Sequence, residues 1–312
     1  MKKPMLLSND EFNTEDLDYS DMFSSFKRDG VRAEITNEGI KNRSLKILRN
    51  TKVQAYFKEI CDRIPEDVIL EAEIYSPSLP CREIAGICNS SDKDVPDDLK
   101  LYIFGIYDEQ ATFRERISML EKMDEILVGD KYEIVEQNKI LDYQQALDFY
   151  ETAIDLGYEG AVLMDGSKKY KEGRVTIKQH IGFKLKPHKE TDLEILGVTE
   201  RLLNTNESQT NELGQSYKRN TVDAKESTGI AACFICKIRE TKDGDELSPE
   251  DKQYGCITSK VTITGNEAFR REIWDNQDKY NGAYAVIKSM DYGEKNKLRH
   301  PRLKGVKLQV EK

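Results

Sequence analysis

The sequence has no apolar run that approaches the roughly 18 consecutive residues needed to span a bilayer. Its start, MKKPMLLSNDEF, carries two lysines but too few apolar residues before polar ones to form a signal peptide. These two absences predict a soluble, cytoplasmic protein that has no membrane partner.

Histidine is also scarce, with three residues scattered at positions 180, 188 and 300. Cys233 and Cys236 have the Cys-x-x-Cys spacing of a zinc site, but such a site needs a second pair of ligands. The surrounding segment 232–238 has the pattern of a strand, in which an offset of three points the two thiols to opposite faces. We therefore expect the six cysteines to be reduced and structural.

An excess of positive charge is missing as well. The net charge of −9 argues at first against a nucleic-acid partner, because contacts to phosphate dominate that kind of affinity. The charges are unevenly distributed, however. Segment 168–190 has eight basic and two acidic residues, and segment 288–312 has eight basic and three acidic residues, which gives local balances of +6 and +5. Two basic stretches on an acidic body are compatible with a DNA-binding surface, although a solvated charged face explains either stretch equally well.

A chain of 312 residues is long enough for two domains. Residues 1–188 alternate short apolar strands with helical segments, which predicts an α+β domain. Within residues 192–312 we predict five strands and a polar, mobile loop at 203–228; the strands are Leu193–Val198, Ile230–Arg239, Gly255–Thr264, Ala283–Met290 and Gly305–Val310. Five short strands of this kind fit an OB-type barrel of about 120 residues.

The most informative segment is 27–32, KRDGVR, which places a lysine, a carboxylate, a glycine and an arginine in one tight turn. A lysine amine attacks phosphorus only when it is unprotonated, and neighbouring cations such as Arg28 and Arg32, or a bound metal, favour that form. Gly30 lets the backbone turn closely beneath a ligand. The apolar alternation that follows the turn predicts a strand. A charged surface turn is the alternative interpretation of this segment by itself.

Further segments follow in an order that agrees with the lysine turn: YEGAV at 158–162, YKEGR at 170–174 and FKLKP at 183–187. With these segments the chain resembles the covalent nucleotidyltransferases, and most of all the small ATP-dependent DNA ligases of bacteriophage type. The resemblance begins near residues 4–7 and covers almost the whole chain. It implies a nucleotidyltransferase (adenylation) domain of antiparallel sheets with flanking helices at 1–188, and a C-terminal OB-fold β-barrel that binds DNA at 192–312.

The resemblance also implies a reaction. Lys27 would capture AMP from ATP with the help of Mg²⁺, AMP would pass to the 5′-phosphate of a nick in duplex DNA, and the 3′-hydroxyl would displace AMP. The expected enzyme is a monomer that is phage-encoded in a bacterial host and acts in DNA replication, repair and recombination. NAD is not expected, because the segment before Lys27 has no room for a domain that recognises nicotinamide mononucleotide.

Two alternatives remain open. RNA ligases and mRNA-capping guanylyltransferases share the lysine hexapeptide, so either activity is compatible with the motif. An OB-fold protein that binds nucleic acid without catalysis belongs to a different class. Such a protein would bind DNA but would never form a covalent bond between AMP and Lys27.

The resemblance assigns the nucleotide-binding residues near the base and the ribose. In segment 70–74, LEAEI, two carboxylates two residues apart share one face of a strand, and the resemblance implies that Glu73 hydrogen-bonds the ribose. The segment departs from the usual Asp-Gly-Glu pattern, so Glu71 receives no role. Phe104 is expected to stack on adenine, and the family commonly has Asp where this chain has Gly105.

The remaining assignments concern phosphate and metal. Asp142 can cap a helix that closes at Gly157 and leads directly to Glu159, the expected carboxylate for Mg²⁺. The resemblance further implies that Lys184 and Lys186 form a pair that binds the α-phosphate. It implies that Arg32 orients the nucleotide and the 5′-phosphate of the nick, and that Arg43 contacts the 5′-phosphate strand.

Overall fold

The computed structural model describes residues 3–8, 14–187, 189–210, 216–219, 221, 223–292 and 297–308. The chain divides into two compact units, Met1–Lys186 and Pro187–Lys312. The predicted end of the first domain, residue 188, lies outside the described residues. Across those residues, the helices are too short or too polar to cross a membrane.

The first unit contains eleven strands and five α-helices in its described parts. The strands are β1 (Met5–Leu6), β2 (Met22–Lys27), β3 (Val31–Thr36), β4 (Gly39–Asn42), β5 (Leu70–Tyr75), β6 (Lys100–Ile106), β7 (Tyr132–Ile134), β8 (Asn138–Ile140), β9 (Gly160–Asp165), β10 (Gly173–Arg174) and β11 (Gly182–Leu185). The helices are α1 (Thr51–Tyr56), α2 (Lys58–Cys61), α3 (Cys81–Asn89), α4 (Phe113–Asp124) and α5 (Tyr143–Asp155). Single 3-10 turns lie at Thr14–Asp16 and Ile177–Gln179.

Two sheets carry most of the first unit. One has the order β4-β3-β5-β6-β7 and the other has the order β11-β9-β2-β8. Their neighbouring strands are antiparallel except for the parallel pair β6 and β7. A short parallel pair joins β1 to β10. The predicted mixture of antiparallel sheets and flanking helices is confirmed.

Hydrophobic periodicity explains how these strands form. In β3, Ala33 and Ile35 are fully buried in the main core, as the apolar alternation predicts. Glu34 is buried as well, so both faces of this strand are covered. Burial, and next the charge of Glu71, raise the pKa of Glu34 to about 7. A charged strand face therefore lies within the unit and not in solvent.

The second unit contains seven strands and three helices in its described parts. The strands are β12 (Lys189–Asn204), β13 (Ser208–Thr210), β14 (Ser216–Lys218), β15 (Lys225–Glu240), β16 (Cys256–Thr262), β17 (Tyr284–Tyr292) and β18 (Leu298–Lys307). The helices are α6 (Pro249–Tyr254), α7 (Glu267–Asp275) and α8 (Gln277–Tyr280). Five strands pair in the closed order β12-β15-β16-β18-β17. The contact between β16 and β18 consists of one registered pair, Thr262 with Arg302.

The prediction of a mobile loop at 203–228 is wrong for the described part of that segment. Strands β12 and β15 continue to pair out to Asn204 and Lys225, and β13 pairs with β14. Residues 211–215, 220 and 222 lie outside the description. The segment was predicted as a loop because its polar residues cannot form a buried apolar face. The backbone hydrogen bonds of an antiparallel hairpin do not need such a face, so the strands can pair without one.

Two smaller predictions for the second unit can be compared with the structure. The last strand was expected at 305–310 but runs from Leu298 to Lys307, and residues 309 and 310 are outside the described range. All six cysteines are free thiols. Cys236 is fully buried while Cys233 is partly exposed, as expected for two positions on opposite faces of β15.

Candidate active site

Lys27 is the last residue of β2, and the turn predicted around Gly30 connects it to β3. The turn packs closely against β5: a Cβ atom at position 30 would lie 2.4 Å from the carbonyl oxygen of Ile74. Only glycine allows the backbone to approach the neighbouring strand so closely. The lysine therefore lies at the end of an interior strand of one sheet, close to β5 of the other sheet.

Glu159 reaches the same place through the helix that the sequence predicted. The side chain of Asp142 accepts a hydrogen bond of 2.8 Å from the backbone N–H of Gln145 and caps α5. The helix closes before Gly157, whose φ of +82° lies in the left-handed region. The backbone N–H of Glu159 then donates to the carbonyl oxygen of Lys27 at 2.9 Å.

Gly160 locks this arrangement. Its φ is +146°, and a Cβ atom there would lie 2.0 Å from the carbonyl oxygen of Leu185. In the sheet it is registered opposite Lys27. A side chain at this position would therefore push β9 away from β11, and the local geometry around Lys27 depends on a glycine.

Lys27 and Lys186 share one carboxylate. The Nζ atom of Lys27 contacts Oε2 of Glu159, and the Nζ atom of Lys186 contacts Oε1. Burial by itself would raise the pKa of Glu159, but the positive charges of Lys27 and Lys186 outweigh burial and lower it. The carboxylate is therefore ionised and bridges the two cations.

Each of the two flanking arginines forms an ion pair with a carboxylate of its own. The guanidinium of Arg28 lies 3.8 Å from the ring centroid of Tyr102 and forms an ion pair of 2.9 Å with Glu133. The guanidinium of Arg32 forms an ion pair with Glu71. Because each arginine has its own carboxylate, the net positive field that these two residues exert on the lysine is smaller than expected.

Arg32 belongs to a second cluster. One oxygen of Glu71, Oε1, accepts hydrogen bonds from Arg32 Nη2 and from the hydroxyl of Tyr170, the latter at 2.7 Å. The guanidinium also lies 4.6 Å from the ring centroid of Phe104. Its Nε atom is buried, and no group in the described part of the chain accepts a hydrogen bond from it. A buried donor without an acceptor destabilises a folded protein. Such a donor is expected in a binding site, where the ligand supplies the acceptor.

Two titratable groups near Lys27 have shifted pKa values. Burial raises the pKa of Glu73 to about 7, against the opposing charges of Lys27 and Arg32. Burial, followed by the charges of Lys186 and Lys27, lowers the pKa of Lys184 to about 8. The Nζ atom of Lys184 donates to the carbonyl oxygen of Leu7 at 3.1 Å. Both groups can therefore change charge close to neutral pH.

These side chains surround a cavity of about 600 Å³ inside the first unit. Six of the eight predicted site residues line it: Lys27, Arg32, Arg43, Glu73, Phe104 and Lys184. The other two, Glu159 and Lys186, are joined to Lys27 through the shared carboxylate. All eight side chains that were predicted from the sequence thus lie at this cavity or in contact with a residue that lines it.

A family model described as "ATP dependent DNA ligase domain" matches residues 4–184. The chain belongs to the ATP-dependent DNA ligase family. The matched range contains seven of the eight site residues, all but Lys186. A search of curated proteins found no match for this ligase.

Solved structures share the fold of the ligase. A Lig E DNA ligase, from a study titled "DNA binding with a minimal scaffold", is 15% identical with a TM-score of 0.70 and covers 99% of this chain and 100% of its own. The Chlorella virus DNA ligase-adenylate is 19% identical with a TM-score of 0.52, covering 100% and 99%. The bacteriophage T7 ligase in complex with ATP is 16% identical with a TM-score of 0.50, covering 98% of both chains.

Three residues of the ligase site were not predicted from the sequence: Glu71, Tyr170 and Arg116. Glu71 and Tyr170 were present in the quoted segments, and the spacing of Glu71 from Glu73 was a usable signal. Two of the departures from the family pattern, Glu71 and Gly105, are registered opposite each other on β5 and β6. Arg116 lines the cavity from α4, where its Nη1 donates to the carbonyl oxygen of Ala111 at 2.9 Å, and nothing in its sequence context marks it.

Proposed function

We propose that this ligase seals nicks in duplex DNA through a covalent intermediate in which AMP is bound to Lys27. The observation that carries the proposal is the cavity itself. One lysine that can act as a nucleophile lies on its wall together with an aromatic ring, a carboxylate and further cations. That combination suits a nucleoside triphosphate, because the base can stack on the aromatic ring and the phosphates need neighbouring positive charge.

In the first step the Lys27 amine attacks the α-phosphorus of ATP. The new nitrogen–phosphorus bond forms while the bond to pyrophosphate breaks, and pyrophosphate leaves. The ammonium must first lose a proton, and Glu159 is the carboxylate in direct contact with it. AMP then moves to the 5′-phosphate of the nick, and the 3′-hydroxyl displaces AMP as the strand is sealed.

The cations of the site would hold the phosphates. Lys184 has a pKa lowered to about 8, and a bound phosphate would stabilise its protonated form. Arg32 has a buried Nε–H for which no acceptor exists within the described residues, and an oxygen of the nucleotide or of the 5′-phosphate would supply one. We assign to Lys186 the second contact to the α-phosphate, because it already lies on the carboxylate that contacts Lys27.

The remaining residues would bind the nucleoside and the DNA strand. We assign stacking on adenine to Phe104, one wall of the cavity. We assign the ribose to Glu73, which faces the same cavity close to Lys27 and Arg32. Arg43 follows β4 and also lines the cavity, and we assign it to the 5′-phosphate strand.

Mg²⁺ fits this donor set. The described residues contain no group of three or more His, Cys, Asp or Glu side chains that could form a complete cage. Magnesium in nucleotide-dependent enzymes is commonly held by one or two carboxylates together with the phosphates of the substrate. We propose Glu159 as that carboxylate. When bound, the ion would neutralise negative charge on the phosphate oxygens.

We propose that the second unit is an OB-fold domain that binds DNA. Support comes from its five strands in closed order and from the basic stretch that begins at Lys288. One residue of that stretch faces inward, because Lys297 Nζ contacts the buried carboxylate of Asp251 at 3.1 Å. The DNA-binding charge must therefore come from other residues of the stretch, of which Lys295 lies outside the described residues.

The test is a sealing assay on a nicked DNA duplex with ATP and magnesium, using Lys27→Ala as the matched inactive variant. We expect the wild-type protein to join the nick and the variant to fail. Nicked duplex RNA or single-stranded RNA in place of DNA, and GTP in place of ATP, distinguish RNA ligases and capping enzymes. Efficient joining of RNA, or labelling only by GTP, would contradict the proposal.

A further inference from the structure

Glu71 and Gly105 are matched in space. They are registered opposite each other on the antiparallel strands β5 and β6. A Cβ atom at position 105 would lie 2.9 Å from Oε2 of Glu71, so a side chain there would force the carboxylate to shift from its present position. The missing side chain at Gly105 therefore leaves the room that the carboxylate of Glu71 uses.

The carboxylate in that space holds two donors. Its Oε1 atom accepts hydrogen bonds from Arg32 Nη2 and, at 2.7 Å, from the hydroxyl of Tyr170. Tyr170 is itself fixed, since its hydroxyl oxygen accepts a hydrogen bond of 2.7 Å from the backbone N–H of Met5. Glu71 is only 4% exposed, so little water competes for these contacts.

The consequence falls on Arg32, which lines the nucleotide cavity. An arginine side chain has several rotatable bonds, and an ion pair at one end of its guanidinium fixes the direction of the remaining donors. Here the pair with Glu71 fixes Nη2, while the guanidinium lies against the ring of Phe104. The Nε–H without an acceptor is then held in place before any ligand binds.

We propose that Glu71 is a positioning residue that orients Arg32 toward the nucleotide, and that Gly105 is required because it makes room for the Glu71 carboxylate. The proposal rests on the function proposed above, in which Arg32 contacts the nucleotide. In this proposal Glu71 acts through Arg32 and not by contact with the reacting atoms. Replacement of Glu71 should therefore have little effect on ATP binding once the guanidinium of Arg32 has been replaced by the amine of a lysine.

A double-mutant cycle between Glu71→Gln and Arg32→Lys tests the first part. AMP capture by the full chain is followed over hours with labelled ATP, so that slow variants remain measurable, and thermal unfolding is recorded for each protein. We expect Glu71→Gln to raise the KM for ATP by about ten-fold in the wild-type background and by less than about two-fold in the Arg32→Lys background.

Two results would overturn the proposal in distinguishable ways. An equal rise in KM in both backgrounds would show that Glu71 acts independently of Arg32, as a purely structural carboxylate would. An Arg32→Lys variant with the wild-type KM and wild-type sealing would instead show that the role given to Arg32 is wrong. In either case the melting temperatures separate a loss of contact from a loss of fold.

Gly105→Ala tests the second part, with Gly86→Ala as its control. Gly86 lies in α3, where an added Cβ atom would meet only the flexible Nζ of Lys93 at 3.3 Å. We expect Gly105→Ala to raise the KM for ATP by about ten-fold, Gly86→Ala to leave it unchanged, and Glu71→Asp to compensate in part for Gly105→Ala by withdrawing the carboxylate. A wild-type KM in Gly105→Ala, or strictly additive effects in the double variant, would refute the matched pair.

Discussion

Each unit of the ligase buries a cluster of charges, and the two clusters differ in how completely their hydrogen bonds are satisfied. In the second unit Asp251 is fully buried. Its two oxygens accept four hydrogen bonds from Ser248 and Thr258 at 2.7–2.9 Å, and Lys297 adds a positive charge at 3.1 Å. Burial would raise the pKa of Asp251, but the donors of Ser248 and Thr258 lower it. Both oxygens of this carboxylate therefore have hydrogen-bond donors.

In the first unit the hydrogen bonds and charges of the buried polar groups are only partly satisfied. The buried Nε–H of Arg32 has no acceptor within the described residues, Lys184 has a pKa lowered to about 8, and Glu73 has a pKa raised to about 7. Buried polar groups are normally satisfied, and exceptions concentrate where a ligand completes the network. The satisfied cluster around Asp251 therefore stabilises the fold, whereas the cluster around Arg32 has a hydrogen-bond donor that a substrate can use.

The largest effect is expected from Glu159→Gln. This change removes the negative charge that bridges Lys27 and Lys186, so AMP capture should fall by about 100-fold, with a comparatively small shift in melting temperature. Glu38→Gln is a suitable control, because Glu38 pairs with Lys41 at the surface. Capture at the wild-type rate by the Glu159→Gln variant would remove this carboxylate from the chemistry.

The opposite pattern is expected from Asp251→Asn. Loss of the buried charge should lower the free energy of unfolding by about 2–3 kcal/mol, measured by urea unfolding near neutral pH. Because the pKa of Asp251 is lowered in the folded state, its contribution to stability is present above the unfolded pKa of about 4 and is lost as the pH falls below it. AMP capture by the folded variant should remain at the wild-type rate. If Asp251→Asn instead kept the wild-type stability and lost AMP capture, Asp251 would have a role in the chemistry and not in the fold.

A smaller effect concerns pH. Lys184 is protonated below its pKa of about 8 and neutral above it, so ATP should bind more weakly as the pH rises through that value. Measured in the wild-type protein with an ATP analogue that cannot transfer AMP, so that the charge of Lys27 is retained, the dissociation constant should rise by about ten-fold between about pH 7 and about pH 9. Lys184→Met should flatten this dependence. An unchanged slope in that variant would assign the titration to another group.

The sequence predicted the α+β class and selected eight side chains that the fold gathers in one site. The resemblance to the ligase family selected most of these side chains. Local patterns predicted the turns beside them, because a helix cap at Asp142 and glycines at 30 and 157 each indicate a particular backbone geometry. The sequence did not reveal which side chains pair when they are far apart along the chain. The ion pair of Arg28 with Glu133 joins residues 105 positions apart, and the contact of Tyr170 with Glu71 joins residues 99 positions apart. Such contacts depend on tertiary packing.

The second unit shows the same limit in its backbone. The segment after residue 203 is polar, and polarity alone predicted a loop, yet Leu203 pairs with Glu226 and Gln209 pairs with Tyr217. Strand pairing between distant segments satisfies backbone groups without a buried face, so composition does not reveal it. Lys297 is a further example, because its place in a basic stretch suggested DNA binding while its side chain contacts Asp251.

We propose that Lys27 is the residue that carries AMP. The most direct measurement incubates the wild-type protein and Lys27→Ala with labelled ATP and magnesium, and then maps the labelled peptide. The account predicts one labelled peptide, which contains Lys27, in the wild-type protein and no covalent label in the variant, although the variant should still seal nicks that are already adenylylated, at a reduced rate. Undiminished labelling of Lys27→Ala, or a label on another lysine in the wild-type protein, would contradict the account.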